Sequence, residues 1–200
     1  MFNLWQLNIQ FYMSYLKVCC LLLVFYQSGT DTRHIMERYR KINAGIRTYR
    51  QVVIDTEERS TEGGAVTGYF SGDSIVLIVE DVYGEMGKKR TEIYYDQGTP
   101  VFIYTRDYHY NIPMYDSSFS SKNIRIEEDR AYFQKGNMIK WINKRKVPLT
   151  KRDQLFTNHE QQVLKYATRL HTRLNPSSLH STVSGYRPFR QTWQLSYPGM

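Results

Sequence analysis

The sequence predicts an α+β fold: a meander of about six or seven antiparallel β-hairpin strands, with a helix before it and a helix after it. Three observations carry that expectation. Apolar stripes of helical period lie near each end of the chain. Between them, a Tyr-[Phe/Tyr] doublet followed by a short Gly-containing turn occurs three times. The chain is also rich in strand-favouring aromatics, with 17 Tyr and 9 Phe among 200 residues.

The first stripe runs over Asp31 to Ile46. Ile35, Tyr39, Ile42 and Ile46 recur at the spacing of one helix face, and Arg33, Arg38, Arg40 and Lys41 lie largely off it. From Arg47 the period changes. Arg50 to Asp55 is the first strand, and the polar stretch from Glu57 to Gly64 is a loop. Then come the three doublets: Tyr69-Phe70-Ser71-Gly72, Tyr94-Tyr95-Asp96-Gln97-Gly98 and Tyr132-Phe133-Gln134-Lys135-Gly136. Each precedes an apolar strand, and glycine suits the positive φ of a tight hairpin turn.

Ile75 to Tyr83 begins apolar at every position, as a central strand covered on both faces does. Arg90 to Tyr95 pairs with Val101 to Tyr110. Asn111 to Lys122 holds Pro113 and a Ser run, and is a loop. Ile124 to Phe133 and Met138 to Ile142 make the last hairpin, which Pro148 ends. The second stripe, Phe156, Val163, Ala167, Leu170 and Leu174, predicts a helix over 150–174, with Thr150 and Asp153 resembling a capping box. Both helices are expected on one face of the sheet, leaving the other Tyr-rich and partly open. Past Asn175-Pro176 the chain has no evident period, and residues 175–200 are expected to be disordered or loosely attached.

The first thirty residues have a different character. Val18 to Tyr26 is apolar, follows Lys17 and precedes Gln27-Ser28-Gly29-Thr30. That is the order of a secretory signal peptide, with Met13 as an alternative start. It is too short for a comfortable membrane span, which takes about 20 apolar residues. The expected location is therefore outside the cytosol: periplasm, envelope or medium. Both cysteines, Cys19 and Cys20, lie in this run, so cleavage would leave a mature domain without thiols. They precede the Leu-rich run, whereas a lipidated cysteine would follow it.

The net charge of +8 is unevenly distributed. Residues 51–138 hold nine basic and fifteen acidic groups, a net of −6; residues 31–50 are at +4 and residues 139–200 at +9. A specific nucleic-acid reader concentrates positive charge on its folded surface, and this β region is acidic. Helices and tail packing against an acidic sheet account for the pattern.

The Tyr-[Phe/Tyr]-x-x-Gly hairpin unit resembles the repeats of MORN-type proteins, over residues 69–79, 94–104 and 132–142. The order of exported N-terminus, helix, Tyr-Gly hairpins and helix also resembles that of uncharacterised exported bacterial envelope proteins. The resemblance implies a binding or scaffold role. It transfers no catalytic residue and implies no cofactor.

No phosphate loop, dinucleotide fingerprint, His-Glu-x-x-His or Gly-x-Ser-x-Gly occurs. Alternation sends Glu128 to one face of its strand and Glu127 and Asp129 to the other. On the strand 101–110, Phe102, Tyr104, Arg106, Tyr108 and Tyr110 share a face, a Tyr ladder with one Arg of the kind that dominates binding hot spots. Trp141 on the next repeat is expected to join it. The leading expectation is a non-catalytic binding module that meets an unidentified macromolecule through this face; the alternative for these residues is that the second helix covers them as core. Asp107 and His109 share the opposite face and, with Asp116 folded back, offer an alternative acid–base or hard-cation site. A third possibility is binding of an anionic polymer or membrane surface by the basic C-terminal region.

Overall fold

In the computed structural model, residues 31–55, 60, 62–149 and 151–175 are described. The proposed signal peptide, the alternative start at Met13 and the tail from Pro176 onward lie outside them.

The elements follow one another as α1 (Asp31–Ala44), a single 3-10 turn (Ile46–Thr48), β1 (Arg50–Asp55), β2 (Gly64–Ser71), β3 (Ser74–Gly84), β4 (Gly87–Asp96), β5 (Thr99–His109), β6 (Arg125–Gln134), β7 (Asn137–Ile142), β8 (Pro148–Leu149) and α2 (Gln154–Leu174). A second 3-10 turn, Ser121–Asn123, lies between β5 and β6. The strands form one antiparallel sheet in chain order, β1 to β8. Each pairs with its sequence neighbour, and two-residue turns at 72–73, 85–86, 97–98 and 135–136 make four of the seven connections. The expected count of six or seven becomes eight because β8 adds a two-residue pairing, Pro148 with Ile142 and Leu149 with Trp141. Proline is tolerated there because β8 is an edge.

The three doublets share one geometry. The register shifts between Tyr69 and Phe70, between Tyr94 and Tyr95, and between Tyr132 and Phe133. Each shift lies beside a two-residue turn, and Gln97-Gly98 and Lys135-Gly136 both have positive φ at both positions. That backbone twist matches the twist of the strands, and glycine adopts it without strain. Within each doublet the side chains part. Tyr69, Tyr94 and Tyr132 face one side of the sheet, and Phe70, Tyr95 and Phe133 face the other.

The two helices consequently take opposite faces, not one face as expected. α1 brings Ile35 and Ile42 onto Leu77, Val79, Tyr94, Phe102 and Tyr132, with Tyr39 and Ile46 at the margin. α2 brings Phe156, Ala167, Leu170 and Leu174 onto Val66, Phe70, Ile78, Ile93, Tyr95, Ile103, Phe133 and Met138. Each fully buried aliphatic or aromatic side chain contributes about 1.5–3 kcal/mol. The hairpin-turn halves of β3 and β4 are covered on both sides, which explains their buried runs at 75–80 and 91–95. α2 begins at Gln154, later than the sequence suggests, and Asp153 occupies the cap position without a side-chain cap hydrogen bond.

Both helices are also tied by polar bonds. Arg38 Nε donates to the Tyr95 carbonyl at 3.1 Å and lies 3.4 Å from Asp96. On the other face of the sheet, α2 crosses β2 so closely that a Cβ on Gly68 would lie 3.0 Å from a Leu174 methyl. Only glycine leaves that space open. Among the described residues, no helix is long and apolar enough to cross a membrane.

Candidate functional site

Among the described residues, α1 covers the hairpin-turn end of its face. Beyond it, strand register stacks three cross-strand rows. The first runs Val79, Glu92, Tyr104, Arg130; the second Asp81, Arg90, Arg106, Glu128; the third Tyr83, Lys88, Tyr108, Ile126. Alternation puts all twelve side chains on one face. Tyr104, Arg106 and Tyr108 are half-buried, while Tyr83 and Ile126 are 41% and 49% exposed.

The inner part of this array is a continuous ionic network. Glu92 is buried, and Arg90 Nε donates to it at 2.9 Å while Arg90 Nη1 donates to Asp81 at 2.8 Å. Arg106 donates to the same Glu92 carboxylate, and the Tyr94 hydroxyl donates to its other oxygen at 2.9 Å. Two guanidinium groups and a phenol thus compensate one buried carboxylate, the condition for keeping a charge out of water. Arg106 Nε and Asp81 Oδ1 are buried with no hydrogen-bond partner among the described residues.

The outer part is aromatic and cationic. Tyr104 lies nearly parallel to Phe102, with centroids 6.0 Å apart, and donates its hydroxyl to Glu128, which also accepts from Arg130. The guanidinium carbons of Arg106 and Arg130 lie 4.9 and 5.4 Å from the centre of the Tyr104 ring. Lys88 Nζ lies 4.8 Å from the Tyr108 ring. Such cation–π pairs contribute about 0.5–1 kcal/mol each at exposed sites. Burial, reinforced by the bond to Glu128, pushes the Tyr104 phenol up to about 12. It therefore stays a donor at any physiological pH.

The five expected binding residues divide. Tyr104, Arg106 and Tyr108 belong to this array. Tyr110 stands just past β5, where its ring meets Phe119 edge-on at 5.3 Å and its N–H donates to the Met86 carbonyl at 2.9 Å. It fastens the 111–123 segment beside the array. Trp141 is on the other face. Its register partner Ala131 faces α2, and Trp141 follows it. There its indole N–H donates to Asp129 at 2.8 Å, and its ring stacks on His159 of α2 at 3.9 Å and 12°.

Neither a family model, nor a curated protein, nor a solved structure matches the chain.

The α2 face has a polar end of its own. Asp107 and His109 do share that face, but they are engaged separately. Lys144 pairs with Asp107, and His109 Nε2 lies 3.4 Å from Glu127. Asp116 is turned to Ser118, whose hydroxyl and backbone N–H hold its carboxyl below the usual range. Glu128 faces the Tyr–Arg array while Glu127 and Asp129 face α2, as alternation requires. Among the described residues, no group of three His, Cys, Asp or Glu side chains is placed to hold a metal.

Lys88, Arg90, Glu92 and Arg130 were absent from the sequence expectation. Their alternation along single strands was visible, but cross-strand register alone reveals that they share one surface with Tyr104 and Tyr108.

Proposed function

We propose that this protein is a non-catalytic binding module of the exterior of the cell, and that it captures a macromolecular partner through the Tyr–Arg half of the α1 face. The observation that carries the reading is the pairing of half-exposed Tyr104 and Tyr108 with Arg106, Arg130 and Lys88 on a part of the sheet face that no described helix covers. Rigid aromatic rings flanked by guanidinium groups are the residue types that concentrate binding energy. The ionic network beneath them holds the rings in place before a partner arrives, which lowers the ordering entropy of binding.

The test uses a Tyr83→Ser/Tyr108→Ser double variant, both residues being at the outer row and outside either core. Wild type and variant are immobilised and exposed to the envelope and extracellular fractions of the host. A partner retained by the wild type and lost by the variant, at unchanged melting temperature, supports the reading. Equal retention by both chains overturns it.

A further inference from the structure

In an antiparallel meander, alternate connections emerge at the same end of the sheet. The 72–73, 97–98 and 135–136 turns lie at the end that α1 covers. The β3–β4 turn, the 110–124 segment and the β7–β8 loop lie at the other. Among the described residues, eight large apolar side chains stand out as exposed, and six of them gather at this second end. They are Tyr83, Met86, Met114, Tyr115, Ile126 and Val147, between 41% and 78% exposed. An ordinary protein surface scatters such side chains singly, and a gathered patch marks an interaction site.

Bonds hold the patch together. The Tyr115 hydroxyl donates to Glu85, and the Tyr110 N–H donates to the Met86 carbonyl at 2.9 Å, so the 110–124 segment is fastened to the β3–β4 turn. Register puts Ile126 opposite Tyr108, with Lys88 Nζ 4.8 Å from the Tyr108 ring. Lys144 reaches Asp107 and brings the β7–β8 loop beside β5. The charge around the patch is mainly positive. Over residues 60, 62–63, 84–88, 110–125 and 143–147, the cations are Lys88, Lys122, Arg125, Lys144, Arg145 and Lys146. The acids are Glu62, Glu85 and Asp116, and the last two accept hydrogen bonds from Tyr115 and Ser118.

We propose that this end of the sheet docks on a bilayer surface with anionic headgroups. Met86, Met114 and Tyr115 enter the interface, and the surrounding lysines and arginines meet the headgroups. Shape, residue type and charge together select a bilayer. Side chains this exposed at the tips of connections form a convex surface, which lipid moulds around and a flat protein partner does not. Tyrosine has an apolar body and a polar end, which suits headgroup depth, and methionine bends to fit irregular surroundings. Lysine and arginine lay their apolar stems along such a surface while their charges stay in water. An anionic leaflet attracts a cluster of them. Among the described residues no helix is long and apolar enough to cross a membrane, so this contact lies on the bilayer and is reversible. Successive rows of the Tyr–Arg array stand about 7 Å apart along the strands, so docking at the tips leaves Tyr104 and Arg106 accessible.

Sedimentation of the full chain with phosphatidylcholine vesicles, with and without phosphatidylglycerol, tests the proposal. Wild type is compared with Met86→Ser/Met114→Ser/Tyr115→Ser and with Arg145→Ser/Lys146→Ser. All five side chains are exposed, so the melting temperature should stay where it is. The wild type should bind the anionic vesicles, and each variant should bind them at least about tenfold more weakly. A Tyr115→Trp chain reports on the patch itself. Lipid with brominated acyl chains should quench its emission beyond the quenching of the wild type's own tryptophans. No binding by the wild type, or unchanged binding by either variant, overturns the proposal. Absence of the added quenching also overturns it, and places the contact elsewhere on the chain. So does a doubled mass in lipid-free solution that the triple variant loses, which assigns the patch to a second copy.

Discussion

Tyr94 and Tyr95 are adjacent on β4 and face opposite helices. The Tyr94 ring packs 4.9 Å from Tyr39 of α1, and its hydroxyl accepts from Asn43 at 3.1 Å. The Tyr95 hydroxyl donates to the Ala167 carbonyl of α2 at 3.3 Å. One dipeptide thus ties both helices to the sheet, and the doublets at 69–70 and 132–133 repeat the division of sides.

Two cores separated by a sheet should respond independently. Ile42→Ala removes a fully buried side chain from the α1 core and Leu170→Ala one from the α2 core. Each should destabilise by about 2–5 kcal/mol. The double variant should equal their sum within about 0.5 kcal/mol, because the two residues share no partner. Denaturant titration of the four chains gives the coupling. A large coupling term would mean that the sheet transmits strain between its faces.

Close approach of α2 to β2 makes Gly68 a sensitive position. Gly68→Ala puts a methyl 3.0 Å from both Leu174 and the Phe70 ring, so one of these side chains must shift. The expected loss is about 1–3 kcal/mol, the usual range for overpacking. Combining it with Leu174→Ala should recover part of the loss relative to Leu174→Ala alone. If Gly68→Ala leaves stability unchanged, the contact is looser than the structure has it.

How much of this was legible beforehand depends on what each feature required. Both helices follow from their stripes, and Ile35, Ile42, Phe156, Ala167, Leu170 and Leu174 are the residues that bury. The hairpins follow from the glycine turns. The doublets also contained the placement of the helices, since successive strand residues point to opposite faces and two adjacent large aromatics both need cover. An expectation of one open face passes over that signal. The contacts of Trp141 were not legible, because His159 is 18 positions away and reaches it only through the crossing of α2. The ionic network was hidden for the same reason. Asp81, Arg90, Glu92 and Arg106 become neighbours only once the register of β3, β4 and β5 is known.

Glu92 is the hub of that network, and its replacement should show it. Glu92→Gln keeps the shape and removes the charge that compensates Arg90 and Arg106. Those guanidinium groups keep some solvent, so the expected loss is about 1–3 kcal/mol, below the range for a wholly buried pair. Replacing Glu128, which is more exposed, should have a smaller effect. Thermal unfolding of both variants decides the order. An equal or larger effect at Glu128 would place the hub there.

Alkaline unfolding should depend on Tyr104. Burial raises its phenol to about 12, against an ordinary value near 10 that the unfolded chain retains. Below pH 10 the group is protonated in both states, and its stabilising effect is fully present. Between about 10 and 12 the unfolded state gives up the proton while the folded state keeps it, so stability falls as pH rises. Burial raises Tyr94 and Tyr95 too, so the fall does not belong to Tyr104 alone. Tyr104→Phe isolates its share. The variant loses the bond to Glu128 but has nothing to ionise at this site, so its urea midpoint should decline less steeply across that window. Parallel declines for wild type and Tyr104→Phe would mean that Tyr104 ionises equally in both states, and that burial does not hold its proton.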